Sequence, residues 1–337
     1  MRWDHLRLDA NTGPEPPLIE RRAVARTFDT PEFRGMTFYE VRAKSVVNRV
    51  PEASRLPFHW TINPYRGCSH ACVYCFARKT HEYLDMDSGA DFDSRIVVKV
   101  NAAERVRAEL AAPRWRGEHI AMGTNVDCYQ RAEGRYRLMP GILSALADAA
   151  NPFSILTKGS LILRDLPLLQ EAAARTRVST AVSVGSVDRD LWRLVEPGTP
   201  PPRRRLEVCA ALNEAGIGCG VLMGPVIPYL SDSPAQLDAA VRQIADAGAT
   251  SVSAITLHLR PGAREWFLAW LREHHPGLVV PYARLYRGRA YAPREYQEDI
   301  SRRVRDLAVK YGIGDRALHR PAAPPPAAAP PEQLAIL

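Results

Sequence analysis

No stretch of this 337-residue chain approaches the about 18 consecutive apolar residues of a bilayer-spanning helix. A membrane-spanning protein of that kind is therefore not expected. The opening Met1-Arg2-Trp3-Asp4-His5 lacks the apolar core of a secretory leader, so the expected location is the cytoplasm. Cysteine is scarce, with six residues in all, and Cys72-Val73-Tyr74-Cys75 is the one C-x2-C pair. A four-cysteine zinc site is typically built from two such pairs. An enzyme with an auxiliary cluster would carry further cysteines near its C-terminus, and none occur there. A disulfide framework belongs to oxidising compartments. Lysine is scarce too, and nearly all the basic charge behind the net +8 is arginine. That charge admits an anionic partner such as nucleic acid. Much of the excess, however, sits in local clusters such as Arg203-Arg204-Arg205 and Arg302-Arg303. Trp115, Trp192, Trp266 and Trp270 show none of the aromatic–basic interleaving of an RNA-binding sheet. Compositional extremes are absent as well, since 46% hydrophobic and 24% charged residues describe an ordinary globular chain.

What is present falls into three segments. Residues 1–35 are polar, contain proline and show no clear periodicity, which predicts a poorly ordered arm. Residues 315–337 contain the low-complexity run Pro321 to Pro331, which predicts a flexible tail. Residues 36–314 remain for one domain with a C-terminal extension. Within it, short apolar runs alternate with helical patterns. The runs are Phe58 to Ile62, His119 to Met122, Phe153 to Thr157, Val178 to Val184, Ile217 to Met223 and Ser251 to Leu257. Each has the length and composition of a buried parallel strand. Ser233-Pro234 reads as N-cap and first helical residue, with Leu237, Ala240, Val241, Ile244 and Ala245 on one face. Ala215-Gly216 and Ala247-Gly248 each close a helix just before a strand, the rhythm of repeated βα units. The fold class is α/β. Six strands fit a partial (βα)6 TIM-like barrel with parallel strands, and an open doubly wound sheet satisfies the same pattern. In either case the functional side is the C-terminal ends of the strands.

The run Gly67-Cys68-Ser69-His70-Ala71-Cys72-Val73-Tyr74-Cys75-Phe76-Ala77-Arg78 carries the strongest chemistry. Its spacing is C-x3-C-x2-C. Three thiolates this close can hold three corners of a cubane iron–sulfur cluster and leave the fourth iron open to a small molecule. A structural zinc site with His70 or His81 as fourth ligand is the alternative.

This run resembles the cluster motif of the radical S-adenosylmethionine (SAM) superfamily, in which the position of Tyr74 is typically aromatic. The longer strings Asn63-Pro64-Tyr65-Arg66-Gly67-Cys68 and Thr80-His81-Glu82-Tyr83-Leu84 resemble an uncharacterised bacterial group of that superfamily, distantly related to spore photoproduct lyase. The likeness runs from Val50 to Ile313. It implies the partial barrel, a 4Fe-4S cluster on Cys68, Cys72 and Cys75, and SAM chelated to the open iron by its amino and carboxylate groups. It further implies reductive cleavage of SAM to a 5′-deoxyadenosyl radical acting on a substrate the sequence does not name. An external electron donor such as flavodoxin or ferredoxin is implied, as is contact between Tyr74 and SAM. Two alternative functions follow, a DNA photoproduct lyase-like repair enzyme and a non-catalytic iron–sulfur or zinc protein.

Polar residues at the strand ends are the candidates for holding SAM. After the second strand, Thr124, Asn125 and Asp127 offer oxygen acceptors to an ammonium group, although this turn departs from the Gly-Gly-Glu often found there in the superfamily. A plain Gly/Asn/Asp turn is the alternative. Lys158 follows the third strand and Ser183 ends the fourth. By resemblance both meet the SAM carboxylate or ribose; otherwise they are a surface lysine and a serine bonded to backbone. Glu196-Pro197-Gly198-Thr199-Pro200 leads to Arg205, which by resemblance approaches SAM. An arginine in a first helical turn opposes the helix dipole, which suggests a task for one of Arg203, Arg204 and Arg205. Val221 and Met223 by resemblance line the adenine. Cys128, in the turn after the second strand, is a candidate hydrogen-atom donor or else a small buried thiol. Cys209 and Cys219 read as core, and His81 and Tyr83 as braces of the cysteine loop.

Overall fold

A computed structural model describes residues 23–51, 54 and 56–314. Eleven strands are formed by the described residues. In chain order they are β1 (Val24–Arg26), β2 (Thr37–Val41), β3 (Val47–Arg49), β4 (Trp60–Ile62), β5 (Tyr65–Arg66), β6 (Arg95–Lys99), β7 (Ile120–Met122), β8 (Phe153–Thr157), β9 (Val178–Ser183), β10 (Cys219–Val226) and β11 (Val252–Thr256). The larger sheet runs β11-β10-β9-β8-β7-β4-β3. Its strands from β4 to β11 are all parallel, and β3 pairs antiparallel with β4. These six parallel strands are the six expected apolar runs. The order does not return on itself, so β11 and β3 are edges and the sheet is an open, partial barrel.

Helices alternate with the strands because the sequence stops and starts them where expected. Helix Pro234–Asp246 begins at Ser233, whose hydroxyl accepts from the Gln236 amide at 3.3 Å in a capping box. It buries Leu237, Ala240, Val241 and Ile244 against the sheet core. Helix Pro202–Glu214 ends at Gly216, which takes a left-handed φ of +80° that glycine adopts without strain. Because the parallel strands are neighbours, their C-terminal ends share one rim.

A second sheet of order β1-β2-β6-β5 was not expected. Its β1 and the aromatic cluster of Phe28, Phe33, Phe38 and Tyr136 correct the boundary set at residue 35. The described part of the predicted arm is ordered by strand pairing and ring packing. Residues 1–22 and the predicted tail 315–337 lie outside the described residues. The consequence for the site is direct. The chain leaves β4 in the large sheet, crosses to β5 in the small one, and enters the cysteine loop from there. Among the described residues, no helix is long and apolar enough to cross a membrane.

Candidate active site

The cysteine loop is fixed at both ends before any ligand is considered. The Cys68 amide bonds the Phe92 carbonyl at 2.9 Å. Gln130, fully buried, accepts from the Ser69 amide and donates to the Gly67 carbonyl, both at 2.9 Å. One side-chain amide thus clamps the backbone on either side of Cys68. Downstream, Arg78 is completely buried. Its guanidinium donates to the carbonyls of Cys72 (3.0 Å) and Gly89 (2.8 Å) and forks onto both Asp93 oxygens at 2.9 Å. It lies over the rings of Phe92 and Trp266. His81 bonds the Arg95 carbonyl at 2.9 Å and packs on Phe92, as expected of a brace. Tyr83 departs from that expectation because it is 69% exposed.

Cys68, Cys72 and Cys75 carry no disulfide, and Cys75 is the least buried of the three. They lie near enough to perturb one another. Burial pushes the Cys68 thiol well up, with Asp127, Cys72 and Cys75 adding to the rise. Burial likewise pushes Cys72 up to about 12. A bound metal reverses that preference, since ligation requires the thiolate. Among the described residues, no three His, Cys, Asp or Glu side chains are grouped to hold a single metal ion. A cubane asks for something else, one cysteine per iron on thiols spread around it. Each of the two candidate fourth ligands of a zinc site uses one ring nitrogen within the protein. His70 stands 3.4 Å from Asp127, with burial lowering its pKa to about 4, and His81 faces Arg95. With no such donors grouped around one ion among the described residues, the three-cysteine loop suits a cluster better than a closed zinc site.

Next to this loop, the strand ends bring together residues far apart in sequence. Lys158 Nζ donates to Ser183 Oγ at 2.9 Å, and Ser183 Oγ donates to the Gly224 carbonyl at 3.0 Å. The Lys158 ammonium is also 3.9 Å from Glu196 Oε1 and 5.8 Å from the centre of the Tyr74 ring. Tyr74 donates its phenol proton to Glu196, and Arg205 Nη2 pairs with the other oxygen of the same carboxylate. Burial pushes the Glu196 carboxyl upward, but Arg205, Lys158 and Tyr74 outweigh it and hold the carboxyl below its usual value. Of the predicted residues, Tyr74, Lys158, Ser183 and Arg205 are thus gathered around a carboxylate the sequence reading had given no role. The segment carrying it is sewn to the loop. The Val73 amide bonds the Val195 carbonyl at 3.0 Å and the Gly198 amide bonds the His70 carbonyl at 3.1 Å. A Cβ at Gly198 would lie 2.1 Å from the Ser69 carbonyl oxygen, so only glycine lets the two backbones meet this closely.

Three predicted residues are engaged or buried within the protein. Arg205 is 1% exposed, and its remaining donors go to the carbonyls of Pro200 and Ser183, both at 2.8 Å, and to Thr199 Oγ1 at 2.7 Å. A guanidinium with four of its five N–H donors so committed serves as an internal brace. Asp127 is similarly occupied. One oxygen accepts from the Tyr129 amide (2.9 Å) and the Thr157 hydroxyl (2.7 Å), and the other from the Lys158 amide (2.7 Å). Asp127 therefore ties the β7 turn to the β8 turn. Cys128 is 0% exposed and packs in the main core. A thiol so placed is not presented to a substrate. Thr124 and Asn125 remain half-buried at the β7 end. Val221 and Met223 are fully buried core.

The family model described as the Radical SAM superfamily matches residues 62–253. Uncharacterized protein Rv2578c of Mycobacterium tuberculosis is 51% identical over 329 residues, covering 96% of each chain. Uncharacterized protein MJ0683 of Methanocaldococcus jannaschii is 28% identical over 195 residues, covering 57% of this chain and 69% of that protein. Among solved structures, a spore photoproduct lyase variant with bound AdoMet and dinucleoside spore photoproduct superposes with a TM-score of 0.63 at 12% identity. That match covers 91% of this chain and 86% of the other. A second variant of the same enzyme gives 0.61 at 13% identity, covering 82% and 79%. At these identities the structural likeness is one of fold.

Proposed function

Because the chain belongs to the radical SAM superfamily, we propose that it holds a 4Fe-4S cluster on Cys68, Cys72 and Cys75 and cleaves SAM reductively to a 5′-deoxyadenosyl radical. The observation that carries this reading is the juxtaposition of three free, clamped cysteines with the Lys158–Ser183–Glu196 group on the same rim. When bound, the cluster supplies the electron and an open iron for the amino and carboxylate groups of SAM. The protein's own residues supply the rest. Lys158, a compact cation on a strand end, suits a carboxylate or ribose oxygen. Thr124 and Asn125 offer oxygens to an ammonium. Tyr74, which lies between Cys72 and Cys75 in sequence, provides a flat ring beside Lys158, and the buried surroundings exclude water. The electron comes from an external carrier of the flavodoxin or ferredoxin class.

The test is anaerobic reconstitution followed by reduction in the presence of SAM. The expected product is 5′-deoxyadenosine, absent from a variant in which Cys68, Cys72 and Cys75 are alanine. Iron–sulfur loading without that product in the intact protein supports the non-catalytic alternative instead.

A second reading, a nucleic-acid substrate, draws on one observation. Arg260 lies between Phe76 and Tyr291, 5.7 and 5.8 Å from their ring centres, and His258 packs on Tyr291 at 4.5 Å. Phe76 directly follows Cys75, and both aromatics are more than two-fifths exposed. Exposed rings with a guanidinium suit stacked bases and phosphates. This reading predicts DNA binding that weakens steeply with salt; salt-insensitive or absent binding removes it.

A further inference from the structure

We propose that Glu196 is a positioning residue, which sets where Tyr74 and Lys158 stand beside the cysteine loop and thereby governs SAM binding. The proposal rests on the radical SAM reading above and concerns a residue outside the expected SAM contacts.

The argument begins with cost. A carboxylate that is 5% exposed is unfavourable unless its oxygens are satisfied. Glu196 satisfies them with groups from three separate elements. Tyr74 comes from the cysteine loop, Lys158 from the end of β8, and Arg205 from helix Pro202–Glu214. It is therefore a group through which the loop and two other elements share a reference point.

The carboxylate has little freedom of its own. Arg205 is immobilised by bonds to Pro200, Ser183 and Thr199. Trp192 Nε1 holds the same Thr199 hydroxyl at 2.9 Å. The backbone on either side of Glu196 is bonded to Val73 and His70. A side chain fixed this tightly can hold a neighbour to within about 0.5 Å, as preorganised sites require. Tyr74 depends on it, because the phenol bond fixes the end of a ring that the cysteine loop carries. Lys158 depends on it for charge, because its other partners, Ser183 and Gly224, are neutral.

The bland reading is that Glu196 only neutralises Arg205. Two substitutions separate the readings. Glu196→Gln keeps the shape and removes the charge. Tyr74→Phe removes the phenol and leaves the Glu196–Arg205 pair intact. Each reconstituted holoprotein is assayed for iron per chain, Tm and SAM affinity by equilibrium dialysis. Both variants are expected to retain wild-type iron and to lose SAM affinity about tenfold or more, the effect of one lost charge-assisted bond. The double variant should bind no more weakly than Glu196→Gln alone, since both changes cut one linkage. Affinity within about twofold of wild type in Tyr74→Phe, or additive losses in the double variant, overturns the proposal. If Glu196→Gln fails to fold, Tyr74→Phe alone decides the matter in the same way. Failure of the wild-type holoprotein to bind SAM refutes the functional reading, an outcome distinct from either.

Discussion

Replacing Arg78 by alanine tests whether the cysteine loop is held as described. Arg78 is wholly buried, and its loss removes a donor from the Gly89 carbonyl, leaves the Cys72 carbonyl with the Cys75 amide, and leaves Asp93 without its cation. Breaking a buried charge pair from one side costs about 3–5 kcal/mol. Loss of the contacts to Phe92 and Trp266, 5.2 and 4.8 Å from the guanidinium, adds about 0.5–1 kcal/mol each where partly exposed and more where dry. Asp93 works in the other direction. Its carboxyl is already raised to about 6 by burial, against the pull of Arg78. Freed of that arginine, it takes up a proton near neutrality and sheds part of the penalty. The net expectation is a loss of about 3–4 kcal/mol in urea unfolding of the apoprotein. Iron per chain should fall with it, since the Cys72 backbone is released. Arg78→Lys keeps the charge but cannot fork onto Asp93 while bonding two carbonyls, so it should fall between. An alanine variant within about 1 kcal/mol of wild type that loads iron normally refutes the reasoning.

Two further outcomes follow from the fold and its buried acids. Gly123→Ala should abolish soluble expression or cluster loading, because Gly123 has φ +75° and a Cβ there would stand 1.8 Å from the Leu156 carbonyl oxygen; a well-folded variant contradicts this close approach of the turn after β7 to β8. Stability of the apoprotein should fall as pH rises above about 9. The sign comes from buried acids such as Cys128, Tyr65 and Tyr129, each raised well above its ordinary value by burial first. The unfolded chain ionises near 9–10 while the folded one stays protonated, so stability is full below that range and lost through it. Denaturant midpoints measured from pH 8 to 11 should therefore decline, and less so in Cys128→Ala; a flat profile contradicts the burial of these groups.

The six parallel strands were legible because each is a short, apolar, β-rich run with a glycine or turn at its boundary. The second sheet was not. Val24–Arg26 is exposed and ordinary in composition, and it becomes a strand only by pairing with residues 38–40. The cysteine loop was legible from spacing alone, and Lys158 and Ser183 from their places at strand ends. Glu196 was visible in the string before Arg205 but carried no local signal. Its meaning comes from Tyr74, 122 residues away. Arg205 answers to the same carboxylate. An arginine in a first helical turn does need an anion, but here the protein provides it. Arg78 stood in the quoted motif without a role because burial of a guanidinium cannot be read from its neighbours in sequence. Cys128 was read from its turn, whereas the core behind that turn decides its exposure.

The claim on which the rest depends is a cluster held by three cysteines with one iron open to SAM. Electron paramagnetic resonance of the anaerobically reconstituted, reduced holoprotein tests it directly. The account predicts a 4Fe-4S signal whose shape changes when SAM is added. A signal indifferent to SAM, or a protein that purifies anaerobically with one zinc ion held entirely by its own side chains, contradicts it.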